Sequence, residues 1–251
     1  MNNKKTTLIL LLMFVIIFSF SVNAAPFEIP NVNLEIGESD EADDLVLGLQ
    51  ILLMLTVLTL APAVLIMMTS FTRIVIVLGL IRNALAVRRM PPNQVIIGLA
   101  LFLTFFIMGP VFQDINENAV QPYLAEEINQ EEALDRTLGP MREFMFKQTR
   151  EKDLALFIEV SDSARPRNHN DIKTTVLIPA FVLSEIKKAF EIGFIIYIPF
   201  LIIDMFVAST LMSLGMMMLP PVMISLPFKL LLFILVDGWY LVIKSLITTF
   251  N

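Results

Sequence analysis

The chain has 251 residues, 56% of them hydrophobic and 17% charged, with a formal net charge of −6 and no cysteine. Such a composition lies outside the range of soluble globular domains and marks a membrane protein. It also excludes disulfides, thiolate catalysis and cysteine-held metals, while the single histidine, His169, sits in the polar run "RPRNHND" as a loop residue.

In chain order, residues 1–24 read as a cleaved signal peptide. "MNNKK" is a basic start, Leu8 to Phe20 an apolar core, and "VNA" before Ala25 places small residues at the cleavage site. An uncleaved anchor helix is the alternative, disfavoured because the apolar run is short for a membrane span. Residues 25–44 form an acidic tail. Seven carboxylates and no basic residue lie between Glu28 and Asp44, so this tail lacks the charge that retains a loop in the cytoplasm.

Residues 45–112 read as a first hydrophobic helical hairpin. Its leading apolar stretch, Leu45 to Ile81, far exceeds the ~20 residues that cross hydrocarbon, so it must extend beyond the bilayer or bend within it. Pro62, followed by Thr69, Ser70 and Thr72, places the kink or break there. The turn carrying Arg82, Arg88 and Arg89 is short and purely basic, which predicts a cytoplasmic location. A second apolar segment runs from Val95 to about Phe112.

Residues 113–191 change character. Between Gln113 and Glu191 fifteen carboxylates face ten basic residues, predicting a water-exposed domain. Pro122 suits a first helical turn, and Leu124, Ile128, Leu134 and Leu138 give an approximate helical stripe. Gly139-Pro140 is expected to break that helix, with Met141, Phe144 and Met145 starting another. Ser161 to Asp171 is a loop by composition, and the segment up to Glu191 is an amphipathic lead-in to the next span. The domain is helical, and its stripes are read as internal packing.

Residues 192–251 form a second hydrophobic hairpin. Its spans are expected at Ile192–Leu214 and Val222–Ile247, joined by the methionine-rich turn "LGMMMLPPVMISLPF". The fold class is therefore an all-α polytopic membrane protein, with about four long hydrophobic helices in hairpins around a helical insert. Four charges fall within its apolar segments: Arg73, Asp204, Lys229 and Asp237. Each would cost roughly 2.5–3.5 kcal/mol facing lipid at a helix centre, so contacts between helices or between subunits are expected for them. Measured from Pro220/Pro221, Asp204 and Lys229 lie at different depths, which leaves their partners on another helix or another subunit. Snorkelling of Lys229 to the headgroups is the milder alternative.

"MTSFTRIVIVLGLIRNAL", "PPNQVIIGLALFLTFFIMGPV", "LIPAFVLSEIKKAFEIGF", "PFLIIDMFVASTLMSLGMMMLPP" and "ISLPFKLLLFILVDGW" together closely resemble the FliP family of flagellar type III export-gate subunits, related to the SctR proteins of injectisomes. The resemblance runs from Leu45 to Phe250, in order. It implies a ring of copies, thought to be pentameric, assembled with FliQ, FliR and other export-gate proteins in the inner membrane and basal body. It implies a polar domain in the periplasm, and a closed gate that passes unfolded flagellar proteins. By residue type alone Met216, Met217 and Met218 read as filler of an irregular core; the resemblance instead matches them to the family's gasket methionines, whose flexible thioethers can close around a chain and reseal. Gly215, Pro220 and Pro221 would act as loop hinges. Some helices that look transmembrane would be buried in protein instead.

Other classes fit less well. A small-solute or ion transporter would use more intramembrane charge and matching broken helices. An intramembrane enzyme would need a catalytic set, and Asp204 and Asp237 are the only pair available, in no recognised motif. A membrane scaffold of the basal body is a milder alternative. No enzymatic activity, cofactor, metal or nucleic-acid partner is expected; the partners are copies of the chain, other gate proteins, exported proteins and lipid.

Overall fold

A computed structural model describes residues 41–87, 90–161, 166–216 and 218–250. The expected signal peptide, most of the acidic tail, Arg88, Arg89 and Met217 lie outside the described residues. The chain divides into residues 1–53 and 54–251. Among the described residues every regular element is helical.

Helix α1 (Glu41–Met67) runs through Pro62 and ends where a break was expected. Thr69 explains the ending. Its hydroxyl donates to the Ile66 carbonyl at 2.8 Å, and the same oxygen accepts the Phe71 N–H at 3.4 Å, so one side chain closes one helix and opens the next. Helix α2 (Phe71–Ala84) buries Arg73, Ile74, Val77, Leu78, Ile81 and Ala84 along one face. Across the basic turn, Arg82 donates to Asn93, the first residue of α3 (Asn93–Ile115). Helix α3 buries only Ile96, Ala100, Thr104 and Met108, a single i, i+4 ridge, while Phe102, Phe105 and Phe106 stay exposed.

The second apolar run ends near Phe112 as read, but the helix that carries it does not. Helix α3 continues through Pro110 and passes by a π-helical turn, Asn116–Val120, into the short α4 (Gln121–Leu124). Glu126, at a φ of 59°, then reverses the chain. Asn129 caps α5 (Gln130–Gln148) by accepting the Glu132 N–H at 2.9 Å. Two expectations change here. Leu124 and Leu134 belong to different helices and are both exposed, so they form no common packed stripe. Nor does Gly139-Pro140 break α5: Pro140 costs one backbone bond, which the burial of Met141, Met145 and Gln148 beyond it offsets.

Helix α6 (Glu151–Val160) follows, and then a 3₁₀ turn at His169–Asp171, where the His169 ring stacks on Phe146 with centroids 4.7 Å apart. Arg142 fastens that loop by donating to the carbonyls of His169 and Ile172. Helix α7 (Thr174–Ser213) is unbroken over 40 residues through Pro179 and Pro199. At 1.5 Å per residue it is about 60 Å long, twice the ~30 Å of bilayer hydrocarbon. Its polar first part and apolar second part are therefore one rod, against which α2, α5 and α6 pack. The expected last span is in fact two helices, α8 (Pro221–Leu235) and α9 (Gly238–Thr248), bent by 64°. Asp237 holds a left-handed backbone, φ 51° and ψ 55°, which no right-handed helix continues through.

Two cores result. One gathers Ile74, Leu78, Ile81, Ala100, Phe200, Phe233 and Leu246; the other joins Met108, Met141, Met145, Leu177 and Phe181. Among the described residues, the α3–α4 run and α7 are long and apolar enough to cross a membrane, and the bent α8–α9 pair makes a third candidate. The apolar part of α1, Gly48–Val64, is shorter.

Helix α6 is tied to α7 by Asp153, which accepts two bonds from Arg150, both 2.8 Å, and one from Ser184, also 2.8 Å. The Arg150 guanidinium holds the Asp153 carboxyl below the usual carboxylate range, assisted by Ser184. Folding therefore favours the ionised form. Its stabilisation is complete above the unfolded value of about 4 and is lost as pH falls through the lower native one. Asp153→Asn should lower the melting temperature at pH 7, and that difference should shrink as pH falls below the unfolded carboxylate value; a gap that keeps its size on acidification would refute the ionic tie.

Candidate functional site

Two features carry the expected site residues: the methionine turn between α7 and α8, and the four charges within the apolar segments. The turn begins with a full Schellman cap. The Gly215 N–H bonds back to the Met212 carbonyl at 3.0 Å and the Met216 N–H to the Leu211 carbonyl at 2.9 Å. Gly215 takes a φ of 72°, a left-handed conformation that only glycine adopts freely, so it ends α7 and sends the chain off the helix axis. At the other end Pro221 occupies the first turn of α8, where its missing N–H costs nothing. Both ends of the turn are thus fixed by backbone chemistry.

The side chains between them are outside the core. Met218 is 98% exposed and Met216 45%, with Leu214 and Leu219 also exposed. A methionine filling an irregular core would be enclosed. These two are exposed instead, on a short loop between the Gly215 cap and Pro221.

Arg73 is completely buried. Its guanidinium donates through Nε to Glu185 Oε2 at 2.9 Å and through Nη2 to Glu185 Oε1 and, at 2.9 Å, to Gln148 Oε1. Nη1 donates to the carbonyl and the hydroxyl of Thr249, both at 3.0 Å. All five N–H donors are occupied. The Phe250 ring lies 3.7 Å from the guanidinium carbon, and Gln148 donates to the Phe250 carbonyl at 3.3 Å. Lys188 completes the cluster by donating to the Gln148 carbonyl at 2.7 Å. Segments far apart in the chain therefore meet on one cation: α2, the end of α5, the first third of α7 and the residues after α9.

Lys229, 1% exposed, donates to Asp204 Oδ2 at 2.6 Å and to the Ala84 carbonyl at 3.4 Å. The other Asp204 oxygen accepts from Ser225, one helical turn before Lys229. The depth mismatch read from the sequence is corrected by the turn. Asp204 lies nine residues before the end of α7 at Ser213, and Lys229 eight after the start of α8 at Pro221, so the two are level. Counting from the prolines wrongly assigned Leu214–Pro220 to helix. Asp237 differs from the others: it is exposed at the α8–α9 bend and has no side-chain partner among the described residues.

Glu185 was missed as the partner of Arg73, although a signal was present. Leu177, Phe181, Glu185 and Ala189 follow one i, i+4 row, and all four are buried. A carboxylate on an otherwise apolar ridge requires a cation. Gln148 and Thr249 had no such signal, since only the packing of α5 and of the final turn brings them to Arg73.

Comparison with known proteins gives a consistent result. The profile of the FliP family matches residues 54–246. The flagellar biosynthetic protein FliP of Bacillus subtilis (strain 168) is 56% identical over 220 residues, covering 88% of this chain and 100% of that protein. The protein of the same name from Aquifex aeolicus (strain VF5) is 47% identical over 226 residues, covering 89% and 93%. That from Buchnera aphidicola subsp. Acyrthosiphon pisum (strain APS) is 50% identical over 248 residues, covering 99% of this chain and 65% of its own length.

Removing one member of a buried pair strands its partner's charge, at a cost of about 3–5 kcal/mol, whereas replacing both by apolar groups costs far less. Arg73→Ala should therefore depress the melting temperature of the detergent-solubilised chain more than the double change Arg73→Met with Glu185→Leu. Equal losses would show that the pair contributes no electrostatic coupling.

Proposed function

Since the chain belongs to the FliP family, we propose that it is a core subunit of the gate through which the flagellar type III apparatus exports unfolded proteins. The observation that carries this reading is the methionine turn. It lies within the matched span, and its described methionines are exposed on a capped loop rather than packed in the core.

In this reading several copies form a ring, a pentamer, with FliQ and FliR beside it. Met216, Met217 and Met218 of each copy meet on the ring axis as a gasket, with Gly215, Pro220 and Pro221 holding the loop at a fixed angle. Unbranched thioether side chains repack at low cost, so such a gasket yields to a passing polypeptide and closes behind it. The buried pair Arg73–Glu185 and the partly buried pair Lys229–Asp204 serve to keep that loop at one height in every copy. The two exposed apolar faces, on α3 and on the outer side of α7, supply contact area for neighbouring copies, partners or lipid. The subunit sits in the bacterial inner membrane, with its polar domain in the periplasm.

Sidedness is tested by thiol labelling, for which the absence of native cysteine is ideal. The basic turn and the acidic domain belong on opposite sides of the membrane. Cysteines introduced at Asn83 and Ser163 should react with an impermeant reagent from opposite faces; reaction of both from one face would overturn the assignment.

The gasket is tested by trimming Met216, Met217 and Met218 to alanine together. Exposed side chains contribute little to folding, whereas three core methionines would cost about 2–5 kcal/mol each. Cells making the variant should leak ions or small solutes while assembling the normal amount of complex. Unchanged permeability, or loss of the complex before any leak, would mean that the pore is closed elsewhere.

A further inference from the structure

Helix α9 buries Gly238, Val242 and Leu246 along one face. Its opposite face carries Asp237 at the helix start, then Tyr240, Leu241 and Lys244, all exposed. Spacings of three, four and seven residues place these four in one stripe about two helical turns long. Neither charge forms an ion pair among the described residues. Asp237 has no side-chain partner there, and Lys244 only leans its ammonium over the Tyr240 ring, at 5.7 Å. The end of α8 exposes Ile234 and Leu235 beside the bend, so both charges stand on an apolar surface. A surface of that kind marks a contact.

The order of the stripe selects the occupant. It reads carboxylate, apolar, apolar, ammonium, and its midpoint falls between Tyr240 and Leu241. A second α9 laid antiparallel therefore sets Asp237 opposite the partner's Lys244 and Tyr240 opposite the partner's Leu241, each twice over. That is the self-complementarity a two-fold contact requires. One lipid headgroup reaches only one of the charges, because its own lie on adjacent groups while Asp237 and Lys244 are about 10 Å apart along the helix. The bend supplies the orientation. With α8 along the bilayer normal, a bend of 64° lays α9 nearer the membrane plane, where Trp239, Tyr240 and Lys244 suit the headgroup level. Two copies inserted the same way, and related by a two-fold axis along the normal, then run their α9 helices antiparallel. We propose that this stripe docks α9 of a second copy of the chain, closed by two Asp237–Lys244 ion pairs. The contact goes beyond the gate reading and does not rest on it. Copies around one ring axis repeat a heterologous contact, so this isologous one belongs to chains outside a ring.

The absence of native cysteine makes this geometry measurable. The purified full-length chain, in phospholipid vesicles, is oxidised with copper phenanthroline. Tyr240→Cys and Leu241→Cys lie beside the two-fold axis and should each cross-link to their own copy. Thr248→Cys, separated from its copy by about 22 Å along the axis, should not. Equal cross-linking of all three would mean parallel or random encounters and would overturn the proposal, as would no cross-link at Tyr240→Cys. Lys244→Glu sets carboxylates face to face twice and should weaken pairing at least roughly tenfold, read as the Tyr240→Cys cross-linking yield against chain density. Adding Asp237→Lys to that change should restore pairing. Where circular dichroism shows that lysine in this left-handed position costs helix, Asp237→Asn takes its place; it removes the repulsion and should pair more tightly than Lys244→Glu alone. No gain over Lys244→Glu in a folded double variant would overturn the ion pairs and the proposal with them.

Discussion

A guanidinium with no access to water must have every donor paired, and Arg73 meets that demand only when three distant segments reach it together. Glu185 comes from the first third of α7, Gln148 from the end of α5, and Thr249 and Phe250 from just after α9. Any arrangement lacking one of them leaves a buried donor unsatisfied or a charge uncompensated. The cluster therefore acts as a condition on the fold as a whole. It selects the one packing of helices in which the polar segments and the second hairpin both close on α2, a specificity that apolar contacts alone do not supply because they tolerate sliding.

The second charged pair works at the level of one hairpin. Lys229 and Asp204 set the register of α8 against α7, and the bond from Lys229 to the Ala84 carbonyl ties that hairpin to the end of α2. A shift of α8 by one helical turn would separate the charges by more than 5 Å in a weakly screened environment. Fixing this register also fixes how much chain is left over for the turn, and hence where Met216 and Met218 stand. The ion pair and the exposed methionines are thereby linked through one short loop, capped by Gly215 and opened into α8 by Pro221.

Proline inside a helix has a consistent effect among the described residues. Pro110, Pro140, Pro179 and Pro199 all lie inside helices, each at the cost of one backbone bond. Where packing continues on both sides, as around Pro140, the helix persists. Where the backbone itself takes a left-handed conformation, as at Gly215 and Asp237, the helix ends whatever its hydrophobicity. Steric exclusion at one residue is local and absolute, whereas a missing hydrogen bond is a finite cost that burial elsewhere can offset.

Composition and hydropathy, read without any structure, were sufficient for a helical membrane protein, for the break near Thr69, and for the polar segment between two apolar regions. The methionine turn and the need to pair Arg73, Asp204 and Lys229 were legible as well, because a charge in an apolar run is costly wherever the run ends up. The partners were not legible in the same way. Glu185 could be found from its place on an apolar ridge, but Gln148, Thr249 and the level meeting of Asp204 with Lys229 depend on where helices stop and how they cross. Helix ends are decided by backbone conformations such as those of Gly215 and Asp237, and by packing beyond Pro140, neither of which hydropathy measures. Periodicity records which residues must avoid water, and only the folded chain decides which of them meet, because the pairing of buried groups is a property of three-dimensional register.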